Sequence, residues 1–184
     1  MRQIRMFLLV LMLMVCPNIV LASEAVINPE GLVTPIENLF NVNLGMQLDV
    51  AKGIIAKNPK WVDKNIGYKY GVIYTYRDDI TGKAIMQVKR ELSLNADQTS
   101  TINAITYILY FQDEATYNKL VNKLVADANS EFGEMQDEQI IGGERESLHR
   151  TWGRDNLHIT IATRYYPEYS PKYPYIVSIM RTKS

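Results

Sequence analysis

Two histidines are the residues of this chain best suited to acid–base or metal chemistry. His149 and His158 fall on adjacent predicted strands of one hairpin, and counted through the turn at residues 153–156 they could lie close together. With Glu144 or Glu146 they would offer the nitrogen and oxygen ligands that Zn²⁺ takes in proteins. No H-E-x-x-H or similar spacing supports such a site. We therefore expect two ordinary strand histidines, with no metal and no cofactor.

The spacing of the serines and of the acidic pairs gives no better support for a catalytic site. The candidate nucleophiles are Ser130, Ser147, Ser170 and Ser178. None lies in the G-x-S-x-G context of a nucleophile elbow, although a Ser/His/acid set could still assemble in space. The acidic pair at residues 78–79 falls in a predicted hairpin turn, where aspartate is favoured, and the pair at residues 137–138 falls in a predicted solvated connection. We predict no catalytic residues and no enzymatic activity, and a hydrolase with a dispersed active site is the less favoured alternative.

One aromatic stretch stands apart from the rest of the sequence. Residues 165–175 contain five tyrosines and three prolines in eleven positions. Proline limits the freedom of the chain before binding, and tyrosine gives a large amphipathic contact area with few rotatable bonds. We predict a binding loop whose contact residues are Tyr165, Tyr166, Tyr169, Tyr173 and Tyr175. The alternative is that these rings pack back onto the sheet and cap an open end of the core.

Two amphipathic helices are predicted to position the strands. Over residues 113–133 the apolar residues recur at helical spacing, and they are Tyr117, Leu120, Val121, Leu124, Val125, Ala128 and Phe132. Asp113 is a suitable N-cap, and Gly133 suits the left-handed residue that closes a helix. A shorter helix is predicted over residues 47–57, ending at Asn58-Pro59. Its buried side is expected to carry Met46, Val50 and Ile54, with Ile55 as a further candidate.

Alternating patterns predict strands after each helix. The first group is residues 68–76, 84–94 and 101–111, joined by a hairpin turn at 78–83 and a second turn at 95–98. In its first strand one face carries Tyr68, Tyr70, Val72, Tyr74 and Tyr76, and in its third strand the inward face carries Ile105, Tyr107, Leu109 and Phe111. The second group is residues 145–152, 157–164 and 175–181, with Ile140-Ile141 as a further short strand. The fold class is therefore α+β, with an antiparallel sheet, helices packed on one face and the order α-βββ-α-βββ, which suggests two α-βββ units.

Residues 1–22 have the organisation of a signal peptide. Two arginines form a positive n-region, the apolar run at residues 6–15 is too short to span a bilayer, and cleavage is expected after Ala22, with Ser23 as the alternative. Lipidation at Cys16 is an alternative to this cleavage, and an uncleaved N-terminal anchor is a further alternative. Cleavage removes the only cysteine. Export without cysteine suits a bacterial periplasm, and an extracellular location is the alternative.

The remaining residues, 23–184, are predicted to form a single α+β domain with an irregular opening at residues 23–35. About 160 residues suffice for one sizeable core. Lysine plus arginine and aspartate plus glutamate number 20 each, so the net charge is zero and does not indicate a nucleic-acid partner. No later segment is apolar enough to cross a membrane.

Leu44-Gly45-Met46, followed by an amphipathic turn through Val50 and Ile54, resembles the opening of small exported α/β modules. The second helix, followed by Trp152 and the strand with Leu157, Ile159 and Ile161, is similar in style. Two such families are the outer-membrane-assembly lipoproteins of the SmpA/OmlA type and the β-lactamase inhibitory proteins, the latter built from two such units. The likeness covers the element order and a few residues around positions 44–59, where Asn58-Pro59 replaces the Gly-x-Pro that often closes the first helix. The resemblance implies the fold and a binding role, and it assigns no functional residues.

Together these observations favour a non-enzymatic exported module that binds another envelope or secreted protein, as an inhibitor, an immunity protein or an envelope accessory. A small-ligand or lipid-binding periplasmic protein is the alternative, and it requires a large apolar cavity between helix and sheet. The hydrolase alternative requires a deep pocket where a histidine meets a carboxylate and a hydroxyl.

Overall fold

The computed structural model describes residues 42–66, 68–77, 88–143 and 146–183. The predicted signal peptide at residues 1–22, the irregular opening at 23–35 and the hairpin turn at 78–83 lie outside these residues, as does Glu144. Within the described ranges no helix is long and apolar enough to cross a membrane.

Two helices and eight strands make up the described fold. In chain order they are α1 (Leu48–Ile55), β1 (Trp61–Asp63), β2 (Gly71–Tyr76), β3 (Val88–Ala96), β4 (Ile102–Phe111), α2 (Glu114–Phe132), β5 (Asp137–Ile141), β6 (Ser147–Arg154), β7 (Leu157–Tyr165) and β8 (Tyr175–Lys183). The fold is α+β, as predicted, but each helix is followed by four strands and not by three. The strand that the sequence does not predict is β1, which is too short for an alternating pattern. The fourth strand of the second group is β5, which contains the short strand predicted at Ile140-Ile141.

All eight strands form one antiparallel sheet in the order β1-β2-β3-β4-β8-β7-β6-β5. Within each half, the strands pair in the order of the chain. The halves meet where β4 pairs with β8, from Ala104 opposite Thr182 to Phe111 opposite Tyr175. The last strand of each half therefore lies in the centre, and the first strands, β1 and β5, form the two edges.

The helix α2 forms as the sequence predicts. The Asp113 carboxylate accepts a hydrogen bond from the Thr116 N–H at 2.6 Å, and Gly133 closes the helix with a φ of 88°. The buried residues are Leu120, Val121, Leu124, Ala128 and Phe132, all of which belong to the predicted apolar face. The helix lies against β4, β6, β7 and β8.

The buried side of α1 differs from the prediction. The buried residues are Leu48, Ala51 and Ile55, while Met46 and Ile54 are partly buried. Val50, predicted to be inward, is exposed. The Gly45 N–H donates to the Ile102 carbonyl and the Leu48 N–H donates to the Ser100 carbonyl, both at 2.8 Å. These bonds fix the rotation of the helix, so Leu48 enters the core and Val50 points to solvent.

One hydrophobic core joins the two halves. The inward residues predicted for β4 are all buried, and they are Ile105, Tyr107, Leu109 and Phe111. Tyr74 on β2 is also buried, and burial, helped by the charge of Asp63, raises its pKa to about 12. Tyr68 precedes β2 and is 60 % exposed. The tyrosine face predicted for residues 68–76 therefore belongs to the core at Tyr74 but not at Tyr68.

Candidate functional site

The tyrosine-rich loop at residues 165–175 connects β7 to β8 and is held by its own backbone. At its base the Tyr166 N–H donates to the Pro174 carbonyl at 2.7 Å. Inside the loop the Ser170 N–H donates to the Tyr166 carbonyl at 3.0 Å and the Tyr173 N–H donates to the Ser170 carbonyl at 3.1 Å. A loop that is already ordered loses less conformational entropy when it binds.

The five predicted contact tyrosines have different environments. Tyr165 is 57 % exposed and Tyr169 is 61 % exposed. The half-buried members are Tyr166, Tyr173 and Tyr175. The rings of Tyr166 and Tyr169 meet edge-on with centroids 5.9 Å apart. Two of the five rings therefore present most of their surface to solvent, and Tyr166 supports one of them.

A row of aromatic rings leads from the core to this loop. The ring centroids are 6.0 Å apart between Phe111 and Tyr117, 5.4 Å between Tyr117 and Tyr175, and 4.9 Å between Tyr175 and Tyr165. The Tyr175 hydroxyl donates to the Glu114 carboxylate of α2 at 3.2 Å. Desolvation raises the pKa of Tyr117, and desolvation with the charge of Glu114 raises that of Tyr175. Tyr175 therefore anchors the loop, and Tyr165 is the exposed end of the row.

A shallow cleft of about 240 Å³ opens beside Tyr165. Tyr117 of α2, Ile140 of β5 and Leu148 of β6 line it, with Glu146, Thr163 and Arg164. Ile140 is 67 % exposed. The cleft therefore connects the exposed end of the aromatic row with the edge strand β5. We call the cleft, together with the adjoining tyrosine loop, the loop–β5 surface; Tyr117, Ile140, Leu148 and Tyr165 line the cleft, and Tyr169 is exposed on the loop.

The strand β5 contributes both charge and apolar area to this surface. All five of its residues are exposed. Ile140 lies opposite Leu148 and Ile141 lies opposite Ser147, so the two isoleucines face opposite sides of the sheet. Its acidic pair, expected in a solvated connection, lies within the strand, and the Glu138 carboxylate accepts a hydrogen bond from the Arg150 Nε at 2.7 Å.

A buried carboxylate on β3 was not predicted from the sequence. Glu91 is 3 % exposed. Lys64 donates to it at 2.6 Å, the Tyr110 hydroxyl donates at 2.8 Å, and the Lys89 ammonium lies 2.9 Å away. Burial alone would raise the pKa of Glu91, but these contacts outweigh burial and leave the pKa lowered. Because its partners satisfy the carboxylate, we assign this cluster to stability and not to binding.

The hairpin of β6 and β7 does not bring the two histidines together. His158 lies opposite Gly153, which is four residues beyond His149 on β6, a separation of roughly 13 Å. His149 instead contacts a hydroxyl, since its Nε2 lies 2.6 Å from the Ser147 Oγ. Burial, followed by the charge of Arg164, lowers the pKa of His149. Ser147 is buried, and within the described residues no carboxylate hydrogen-bonds to His149, so the pair has neither the orienting acid nor the access of a nucleophilic site.

A second, larger cleft of about 410 Å³ lies at the C-terminal end of α2. Glu131 and Phe132 line it, together with Arg154, Asp155 and Lys183 from β6, the following turn and β8. The Arg154 guanidinium lies 5.9 Å from the centre of the Phe132 ring. This mixed lining differs from the apolar cavity between helix and sheet that the ligand-binding alternative requires.

In the part of the chain that the structure describes, no group of three or more His, Cys, Asp or Glu side chains could hold a metal ion. Comparison with protein-family models, with curated proteins and with solved structures gives no match. The chemistry of the loop–β5 surface is therefore the basis for the proposed function.

Proposed function

We propose that this protein is an exported, non-enzymatic module that binds another envelope or secreted protein through the loop–β5 surface. The observation that carries this proposal is the convergence of exposed apolar side chains from separate elements at one cleft. Tyr165 at the end of β7 and Ile140 in β5 are each more than half exposed and line the same cleft. Apolar area of this kind, bordered by charged residues, is typical of protein–protein contacts.

The tyrosine content of the surface and the hydrogen-bonded conformation of its loop favour a protein partner. Tyrosine is among the residues that most often dominate interface energetics, because its ring buries a large area while its hydroxyl can still hydrogen-bond. The loop that carries Tyr169 is held by three backbone hydrogen bonds, and the Tyr165 ring packs at a tilt against the anchored Tyr175. Binding would therefore order few additional side chains.

We also infer that both helices cover the same face of the sheet. Buried residues of α1, such as Ile55, share one cluster with Leu124 of α2 and with inward residues such as Leu92 and Ile161. This arrangement would leave the loop–β5 surface at one margin of the helix layer. The export that residues 1–22 predict would bring it into contact with periplasmic or extracellular proteins. An inhibitory, immunity or envelope-assembly role is part of this proposal.

The test begins with the exported protein purified from the cells that make it. Envelope and secreted proteins of the same cells are passed over the immobilised wild-type protein, and those that it retains are identified. The affinity of each purified candidate for the wild type is then measured by calorimetry. We expect the double substitution of Tyr165 and Tyr169 by alanine to weaken binding by at least about tenfold, since central aromatic truncations cost about 2 kcal/mol or more.

The matched control is Tyr68→Ala. Tyr68 is 60 % exposed, like the two loop tyrosines, but it precedes β2 in the other half of the chain. Wild-type affinity in this control, together with the loss in the double variant, supports the proposal. Equal affinity of the double variant and the wild type for every partner would overturn it.

A further inference from the structure

The outer edge of β5 has the properties of a site for strand addition. This strand, Asp137–Ile141, pairs with β6 alone among the described strands, and every residue in it is exposed. A sheet edge presents a row of backbone N–H and C=O groups that a further strand can bind. The opposite edge strand, β1, has only three residues. The strand β5 also lacks proline and lysine, two residues with which proteins protect their edges.

The side chains of β5 would give such a strand apolar contacts on both faces. Ile140 extends the lining of the cleft beside Tyr165, and Ile141 lies on the other face. In an added strand, the residues opposite these two isoleucines would have Cβ atoms about 5 Å from theirs. Apolar residues are therefore favoured at those positions of the partner.

The charge around β5 selects a basic partner. Residues 131–146 contain six acidic residues and one basic residue, Arg145, and of the six Glu138 is already paired with Arg150 of β6. Glu134, Asp137 and Glu146 are exposed on and beside β5. A strand that carries lysine or arginine would face opposite charge here, whereas an acidic strand would be repelled.

We propose that β5 receives an extended segment of the partner polypeptide as an additional strand, and that this segment combines apolar residues with lysine or arginine. The inference rests on the proposed function, because it names how the partner is held at the loop–β5 surface. A second copy of this chain is disfavoured as the occupant, since pairing β5 with itself doubles the local negative charge.

The probe is a fluorescein-labelled ten-residue peptide in which valine and lysine alternate except for two adjacent valines at its centre, which can lie opposite Ile140 and Ile141. It is added to the full exported protein at low salt. The control peptide has glutamate in place of each lysine. Fluorescence anisotropy is expected to show binding at least about tenfold tighter for the lysine peptide, since two cross-strand charge pairs of about 0.7 kcal/mol each give that ratio. Equal affinity of the two peptides, or binding of neither, would overturn the inference.

Methylation of the peptide backbone distinguishes strand addition from non-specific binding of the peptide. Two further peptides carry N-methyl groups on alternate residues, one on the odd-numbered positions and the other on the even-numbered positions. Successive N–H groups of a strand point to opposite edges, so one methylation pattern blocks the edge that faces β5 and the other blocks the outer edge. We expect one pattern to abolish binding and the other to preserve it. Any other result, with both patterns tolerated or both inactive, argues against an added strand.

Charge reversal on the protein provides a second readout. The double substitution Glu134→Lys with Asp137→Lys is expected to weaken binding of the lysine peptide by about tenfold. Asp49→Lys is the matched control, because Asp49 is an exposed acidic residue of α1, and it should leave the affinity unchanged. Equal effects of the two variants, or self-association of the protein that the peptide does not reverse, would contradict a basic partner at β5. If the peptide fails while retention of a natural partner still requires Tyr165 and Tyr169, the proposed function stands without strand addition.

Discussion

The ammonium group of Lys64 lies 2.6 Å from the carboxylate of Glu91. Lys64 directly follows β1, and Glu91 lies on β3, so this ion pair spans the intervening strand β2. It connects an edge of the sheet to its interior. The short strand β1 has few pairing partners of its own, and the contact with Glu91 gives it an additional attachment.

Replacement of Glu91 by glutamine is expected to lower the free energy of unfolding by about 1–3 kcal/mol, because Lys64 and Lys89 then face a neutral group in a largely buried position. Urea denaturation measures the change. Glu138→Gln is the matched control, because its ion pair with Arg150 is equally short at 2.7 Å but the Glu138 side chain is 46 % exposed. An exposed pair contributes less than about 1 kcal/mol. Equal losses in the two variants would show that burial does not govern the Glu91 cluster.

The same carboxylate predicts a pH dependence of stability. The pKa of Glu91 in the folded protein lies below its ordinary value of 4.5, so the unfolded chain binds more protons in the acidic range. The stabilisation is complete above the unfolded pKa and disappears as the pH falls through the folded pKa. We therefore expect the stability difference between wild type and Glu91→Gln to be constant near neutral pH and to shrink below pH 4.5. Urea titrations at successive pH values measure it, and a difference that grows on acidification would contradict the assignment.

The elements that the sequence predicted correctly are those whose signals are local. The spacing of Leu120, Leu124 and Ala128, the cap at Asp113 and the closing Gly133 define α2 within one segment. The alternation along β4 likewise identifies its buried face. Such patterns arise from the geometry of a single helix or strand, so they can be seen without knowledge of the partner elements.

The features that the sequence did not predict depend on contacts between distant segments. Glu91 meets Lys64 and Tyr110 only after β1, β3 and β4 are assembled, and no spacing rule connects these three residues. The face of α1 depends on backbone bonds to residues after β3. The sequence predicts a turn at Gly153, but this residue lies in β6, where an added Cβ would come within 2.6 Å of the Gln136 Oε1 and 2.9 Å of the His158 Nδ1. Because Gly153 has no side chain, Gln136 and His158 can both pack against it, although neither adjoins it in the sequence.

The exposed position of β5 is the part of the candidate site that was hardest to foresee. Ile140-Ile141 predicted a short strand, and apolar pairs of this kind are usually buried. Only the strand order, with β4 and β8 in the centre, makes β5 an edge. The tyrosine loop was visible in the sequence, but the division between the exposed Tyr165 and the anchoring Tyr175 follows from contacts with α2.

A hydrogen bond between α2 and β6 gives a third prediction. The indole N–H of the fully buried Trp152 donates to the Asn129 side-chain oxygen at 2.8 Å. Asn129→Ala is expected to lower the free energy of unfolding by about 1–2 kcal/mol, because the loss of this acceptor outweighs the better helix propensity of alanine. Asn129→Asp keeps an acceptor and should lose less. Ser130→Ala, the adjacent exposed position of the same helix, is the control and should be neutral or slightly stabilising; an equal loss there would refute the role of the indole hydrogen bond.

The aromatic row predicts that its tyrosines differ in how much they contribute to the free energy of unfolding. Tyr117 packs between Phe111 and Tyr175 and is partly buried against the core. Tyr117→Ala should therefore lower the free energy of unfolding by about 2–4 kcal/mol. Among the described residues Tyr165 has one ring neighbour, Tyr175, and it is mostly exposed, so Tyr165→Ala should cost less than about 1 kcal/mol.

Stability and partner binding should consequently diverge along this row. Urea denaturation should rank the alanine variants Tyr117, Tyr175 and Tyr165 in decreasing order of damage, because each successive ring lies further from Phe111. Partner affinity, measured at a temperature where all three variants are folded, should instead fall sharply for Tyr165→Ala. If Tyr165→Ala destabilised the protein as much as Tyr117→Ala, the outer ring would belong to the core packing. A lower affinity of Tyr165→Ala would then follow from the loss of structure, and it would not identify the exposed face of Tyr165 as a binding contact.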